Sequence, residues 1–178
     1  MIIQFCGLSG SGKTTLALMA KEYFDNKKTR VEVIDADDYR KYLNSDLGFS
    51  KHDRNTNIKR LAFVADKFAT HGIVPIISAI NPYEETRKEI ADQYILVKTV
   101  YIKCSLQELA KRDTKGLYAK ALLPDDHSDK IFNLSGVNDP FEVPENPDLI
   151  IETDKETVQE SSAKLVRFIE SNSIFKRI

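Results

Sequence analysis

Tryptophan is absent from the 178 residues, and cysteine occurs only twice. Cys6 and Cys104 each lie in an apolar run. With no histidine beside them they form neither a disulfide framework nor a zinc site, and they read as small buried hydrophobes. The three histidines, His52, His71 and His127, stand in polar surroundings without metal-ligand spacing and read as surface residues. No apolar stretch approaches the ~20 residues that span a bilayer. The N-terminus lacks a basic n-region and turns polar at Gly7, unlike a signal peptide, so a cytoplasmic location is expected. A net charge of −1 excludes a global field for nucleic acid or anionic membranes, and the C-terminal FKRI is too short a basic run to restore one. Any anion site must be local. Repeats, low-complexity segments and Pro/Gly linkers are also missing, so one domain over 1–178 is expected.

What is present is an alternation of short β-rich runs and helical patterns. IIQFC (2–6), VEVID (31–35), IVPIISAI (73–80), VKTVYIK (97–103) and DLIIET (148–153) read as strands. Several are almost continuously apolar, as parallel strands covered on both faces are. Helices are expected over 13–26, 54–71, 83–93, 105–113 and 155–171. In 54–71, Ile58, Leu61, Ala62, Ala65, Phe68 and Ala69 share one face, and Gly72 fits the position just past the helix end. Val158, Leu165, Val166 and Ile169 mark one side of 155–171. The pattern is α/β, with a parallel sheet and right-handed crossovers. Residues 114–147 fit neither period; they hold four prolines and are long enough to be a lid.

GLSGSGKT (7–14) matches G-x-x-x-x-G-K-[ST] between a strand and a helix. Glycines let consecutive backbone N–H groups turn toward one anion, and the helix N-terminus adds partial positive charge. Lys13 can reach the β- and γ-phosphates, and the Thr14 hydroxyl can join the shell of a magnesium ion. Guanine-specific N-K-x-D is missing; the nearest stretch, NKKT (26–29), lacks the aspartate. A kinase then needs an acceptor side, and residues 31–60 offer one. Asp35 closes a strand at the carboxyl edge of the sheet, where it can hold magnesium through water. Asp37 can accept or orient the proton of an incoming hydroxyl. Arg40 and Arg54 can grip an anion with two-pronged hydrogen bonds, and Phe49, on a loop, can stack on a base. Taken singly, these charges also suit a solvated loop and helix start, with Asp53 as an N-cap for a helix beginning near Arg54.

Four motifs in order make the chain resemble the adenylylsulfate kinase family over nearly its whole length. They are DADDYR (35–40); DLGFS (46–50) with DRNTNI (53–58); RDTKGLY (112–118); and GVNDPFEVPENP (136–147). The resemblance implies a P-loop fold and transfer of the ATP γ-phosphoryl to the 3′-hydroxyl of adenosine 5′-phosphosulfate. Gly7, Leu8, Ser9, Gly10, Ser11, Gly12, Lys13, Thr14 and Thr15 would bind ATP and magnesium, with Arg112 packed on the ATP adenine. Asp37 would be the catalytic carboxylate beside Lys13. Asp35, Arg40, Arg54, Asn57 and Ile80 would line the acceptor site, Phe49 would stack on its adenine, and Lys115 would reach it from the lid. The resemblance also suggests a homodimer and leaves room for a separate ATP sulfurylase upstream.

The chain departs from the family at four places. Asn81 replaces a serine sometimes described as a phosphorylated intermediate; an amide is no such nucleophile, so direct in-line transfer remains. Glu84 replaces an arginine, Leu134 stands where a phenylalanine closes the other face of the substrate adenine, and 122–133 is longer than usual. These departures favour, as rival, a kinase of the same fold acting on another nucleotide-like or phosphorylated acceptor. A non-catalytic nucleotide-binding regulator is the rival from another class, and intact Lys13, Thr14, Asp35 and Asp37 speak against it.

Overall fold

A computed structural model describes residues 1–25, 27 and 29–173. Asn26, the last residue of the first expected helix, and the FKRI terminus lie outside the described residues. Five strands, β1 (Ile2–Cys6), β2 (Arg30–Asp35), β3 (Ile73–Ser78), β4 (Val97–Lys103) and β5 (Leu149–Glu152), form one sheet in the order β2-β3-β1-β4-β5. Every pairing is parallel. The helices are α1 (Lys13–Asp25), α2 (Ala36–Tyr42), α3 (Lys51–Thr70), α4 (Glu84–Gln93), α5 (Leu106–Arg112), α6 (Leu117–Ala121) and α7 (Val158–Asn172).

The pleat of β1 explains the layering. Ile3 and Phe5 point to one face, where Leu16, Ala17, Ala20 and Phe24 of α1 meet Leu165, Val166 and Ile169 of α7. Ile2 belongs to the other face, packed against Ile58, Leu61, Ala62 and Ala65 of α3 and Ile90 of α4. With both faces covered, β1 is buried at all five positions, which is why its sequence runs almost uninterrupted in apolar residues. The exception is Gln4, wholly buried and bonded through Nε2 to the Arg87 carbonyl (3.1 Å) and the Thr99 hydroxyl (3.0 Å).

Several expectations need correction. The helix expected from 54 begins at Lys51, because Ser50 rather than Asp53 is its N-cap: Ser50 Oγ accepts the Asp53 backbone N–H at 3.1 Å. The strand expected over 73–80 ends at Ser78, since Ile80 leaves the ladder to accept the Gly7 N–H (3.1 Å). Val158 is exposed, for it opens α7 before the helix reaches the sheet. Two short helices, α2 in the acidic burst and α6 in the proline-rich segment, were not foreseen; their apolar positions are too few to show a period. Gly72 does end α3, in the left-handed region at φ +77°. Cys6 and Cys104 are buried and free, and burial pushes the Cys6 thiol up to about 12.

Candidate active site

The carboxyl ends of β1, β2 and β3 open into a cavity of about 730 Å³. One wall is the glycine loop. Gly7 is required by the sheet: a Cβ there would lie 2.4 Å from the Ile102 carbonyl oxygen of β4, at a φ of +154°. Lys13 is buried at the start of α1, with Nζ donating to the carbonyls of Gly7 (3.0 Å) and Leu8 (2.7 Å). Burial lowers its ammonium to about 8, and the nearby Asp37 charge acts in the opposite sense. Thr14 and Thr15 are exposed at the loop's end. The Thr14 hydroxyl donates to Asp35 Oδ2 at 2.8 Å and lies 3.3 Å from Ser78 Oγ.

Asp35 has two jobs in this structure. Its Oδ1 caps α2 by accepting the Asp37 N–H (2.9 Å), while Oδ2 turns to Thr14. Cross-strand register sets Asp35 opposite Ser78, and Thr14 from the first turn of α1 brings a third oxygen-bearing side chain to these strand ends. Such an all-oxygen donor set fits a hard divalent cation sharing phosphate oxygens and water. Among the described residues, no group of three or more His, Cys, Asp or Glu side chains could hold a metal unaided.

The opposite wall is built from charged side chains. Asp37 is exposed and paired at 2.6 Å with Lys115, which lies between α5 and α6. Arg40 and Arg54 sit over the same Phe49 ring, at 4.8 and 5.5 Å from its centroid. Burial lowers the Arg40 pKa, and the neighbouring Arg54 charge adds to the effect. Arg40 also donates to the carbonyls of Leu47 (3.0 Å) and Gly48 (2.8 Å), which shapes the loop that presents Phe49. Buried Arg54 donates to the Phe49 and Asn133 carbonyls (2.9 and 2.5 Å) and pairs with Asp139 (3.2 Å). Asn57 is buried on the same wall, its Oδ1 accepting from Asn44 Nδ2 at 2.8 Å.

The segment after α5 lines one side of the cavity and shares a small core with α5 and the glycine loop. Cys104, Leu109, Tyr118, Ala121 and Leu134 are buried together, with Leu8 of the glycine loop against them. Gly136 permits that contact, since a Cβ there would come within 2.5 Å of Leu8 Cδ2. Tyr118 adds a hydrogen bond to the Ser9 carbonyl (2.8 Å), and burial pushes its phenol up to about 12, so it remains a donor.

The cavity therefore gathers Ser9, Gly10, Gly12, Lys13, Thr14, Thr15, Asp35, Asp37, Arg40, Phe49, Arg54, Asn57, Ile80, Lys115 and Leu134. Gly7 and Ser11 are buried and half-buried Leu8 packs on the Leu109–Leu134 cluster, so these three loop residues do not line the cavity. Arg112 also stands outside: it donates to the Thr153 carbonyl (2.8 Å) and pairs with Glu108 (3.2 Å). It is still close to the loop, because Thr153 Oγ1 donates to the Ser11 carbonyl at 3.0 Å. Of the departing positions, Asn81 and Leu134 line the cavity and Glu84 does not. Glu84 instead pairs with fully buried Arg87 at 2.6 Å. Arg87 in turn donates to the Asn81 carbonyl (2.6 Å), holding that residue at φ +46°. Sequence reasoning missed Tyr118 and Asn44; each acts on a neighbour distant in the chain, and neither has a spacing that signals it.

The adenylylsulphate kinase family profile matches residues 1–152. An adenylyl-sulfate kinase of Deinococcus deserti is 41% identical over 97% of this chain and 92% of its own length. A probable bifunctional SAT/APS kinase of Sorangium cellulosum is 42% identical over 95% of this chain, which spans only 28% of that protein. The structure is similar to that of the Mycobacterium tuberculosis APS kinase in complex with AMPPNP and APS. The TM-score is 0.86 at 35% identity, covering 95% of this chain and 96% of the other.

Proposed function

Since the chain belongs to the adenylylsulphate kinase family, we propose that it transfers the γ-phosphoryl group of ATP to the 3′-hydroxyl of adenosine 5′-phosphosulfate. The products are ADP and 3′-phosphoadenylyl sulfate. The observation that carries this reading is one cavity with a phosphate loop and buried Lys13 on one side, and Asp37, Arg40, Arg54 and Phe49 on the other.

Lys13 leaves its carbonyl partners to meet the β- and γ-phosphates, whose charge restores the ammonium that burial weakens. Thr14 and Asp35 would hold magnesium, Asp35 by way of water, and the ion would supply charge neutralisation at the phosphates. Asp37 releases Lys115 and takes the hydrogen bond of the attacking hydroxyl. Arg40, Arg54 and Asn57 hold the acceptor's anionic and ribose groups, Phe49 stacks on its base, and Ile80 and Leu134 supply apolar wall. Catalysis is chiefly positioning and charge stabilisation, with transfer direct and in line, because the amide of Asn81 offers no nucleophile. Arg112 packs on the ATP adenine beyond the loop's outer end. The reading carries with it one kinase domain over 1–178 with 114–147 as its lid, homodimer assembly, a cytoplasmic place of action and a separate ATP sulfurylase upstream.

A second reading, the same chemistry on another nucleotide-like acceptor, is favoured by Leu134, an aliphatic residue lining the cavity. ADP release from Mg-ATP, with and without adenosine 5′-phosphosulfate and beside a panel of other nucleotides and sugars, tests both. Strong stimulation by the phosphosulfate alone is expected. Stimulation by another compound instead would replace the acceptor, and nucleotide binding without acceptor-dependent ADP would replace the enzyme by a regulator.

A further inference from the structure

Asn57 lines the cavity, but which end of its amide faces the acceptor is decided elsewhere. Three residues behind it form a chain of hydrogen bonds that reaches the surface. Asp46 holds Arg60 by two bonds, Oδ1 to Nη1 at 2.7 Å and Oδ2 to Nη2 at 2.8 Å. Arg60 Nη1 also donates to Asn44 Oδ1 at 3.4 Å. Asn44, 1% exposed, donates from Nδ2 to Asn57 Oδ1 at 2.8 Å.

The polarity of this chain follows from one fact: a guanidinium can only donate. The Asn44 atom facing Arg60 must therefore be the carbonyl oxygen. The Asn44 amide then turns its Nδ2 to Asn57, which must answer with an acceptor, Oδ1. Asn57 is left with Nδ2, a donor, as the amide atom free for the cavity. Both asparagines are buried, so a reversed amide would set donor against donor or acceptor against acceptor in a dry site, which is costly.

We propose that Arg60 and Asn44 are positioning residues that fix the Asn57 amide with its N–H₂ toward the acceptor, selecting an anionic or hydroxyl oxygen there. The assignment rests on the acceptor reading above. It also explains why Asp46, Arg60 and Asn44, none of which lines the cavity, belong to the acceptor machinery.

The test is steady-state ADP release by the full chain with each substrate varied in turn. Asn44→Asp is isosteric but presents only acceptors, so Asn57 must turn its N–H₂ to the new carboxylate and show its oxygen to the cavity. The KM for adenosine 5′-phosphosulfate is expected to rise by roughly 10- to 100-fold, with the KM for ATP unchanged. Arg60→Gln lies on the surface and should fold normally; because its amide can donate or accept, the polarity is lost. An increase of about 3- to 10-fold in the same KM is expected. A wild-type KM for the phosphosulfate in either folded variant overturns the relay, as does an equal rise in both KM values. Should Asn44→Asp fail to fold, Arg60→Gln alone decides. A wild-type enzyme with no phosphosulfate-dependent ADP release would instead sink the acceptor reading itself.

Discussion

The two walls of the cavity are made of different material. The glycine-loop wall is mostly main chain: Gly7 is pressed against β4, Ser11 is fully buried, and Lys13 is tied to loop carbonyls. The opposite wall is mostly side chain, and its central contact, Asp37 with Lys115, is exposed at 69% and 58%. Main-chain geometry locked by a sheet costs little to keep ready for a ligand. Exposed ion pairs are weak and exchange partners easily. The phosphate donor thus meets a main-chain cradle already in place, in which only the Lys13 ammonium has to exchange partners, whereas the other wall must trade side-chain contacts to work.

The largest effect should come from breaking the side-chain wall at its reacting group. Asp37→Asn is expected to lower kcat by ~10²–10⁴ with ATP binding nearly intact, read by ADP release and nucleotide titration. Survival of turnover would reduce this wall to a clamp. Next comes the seam between the walls. Gly136→Ala drives a Cβ into Leu8 at a φ of +84°, so a loss of about 1–3 kcal/mol in chemical denaturation is expected, together with weaker nucleotide binding.

The main-chain wall should betray itself through pH. Lys13, lowered to about 8 in the folded protein from an ordinary 10.5, loses its charge as pH rises through 8. Apparent ATP affinity should fall above pH 8 by up to ~10-fold per pH unit. Stability without ligand moves the other way. Between pH 8 and 10.5 the unfolded chain binds the extra proton, so the folding penalty from this lysine is relieved as pH rises through that window. Lys13→Met should remove both slopes. The smallest effect is expected from Lys115→Ala: a melting temperature within ~3 °C of wild type, but a higher KM for the acceptor. A large drop in melting temperature would mean that the side-chain wall is as rigid as the loop wall.

The same contrast explains what could be read in advance. The phosphate loop is a local object: its glycines, Lys13 and Thr14 act within eight residues, so spacing alone reveals it. Continuous apolar runs likewise foretell buried parallel strands, and the Ile58 to Ala69 stripe foretells the face of α3. Asp35, Asp37 and Phe49 were legible because a strand end and a loop are set by near neighbours. The resting contacts of Arg112 are only partly local: beside Glu108, one turn away, it is held by the Thr153 carbonyl, 41 residues away. Glu84 was read as an acceptor-side change, but burial of Arg87 claims its carboxylate.

By itself, then, the order of residues determined the sheet, the cradle and the list of groups offered to an acceptor, because each depends on period or on neighbours along the chain. Tertiary structure alone decided how residues of the site are held: the Asn57 amide by Asn44 and Arg60, the Asn81 backbone by Arg87, the Ser9 backbone by Tyr118. A hydrogen bond has direction, and a buried one is set by whichever partner packing brings beside it, at sequence separations that no local pattern records.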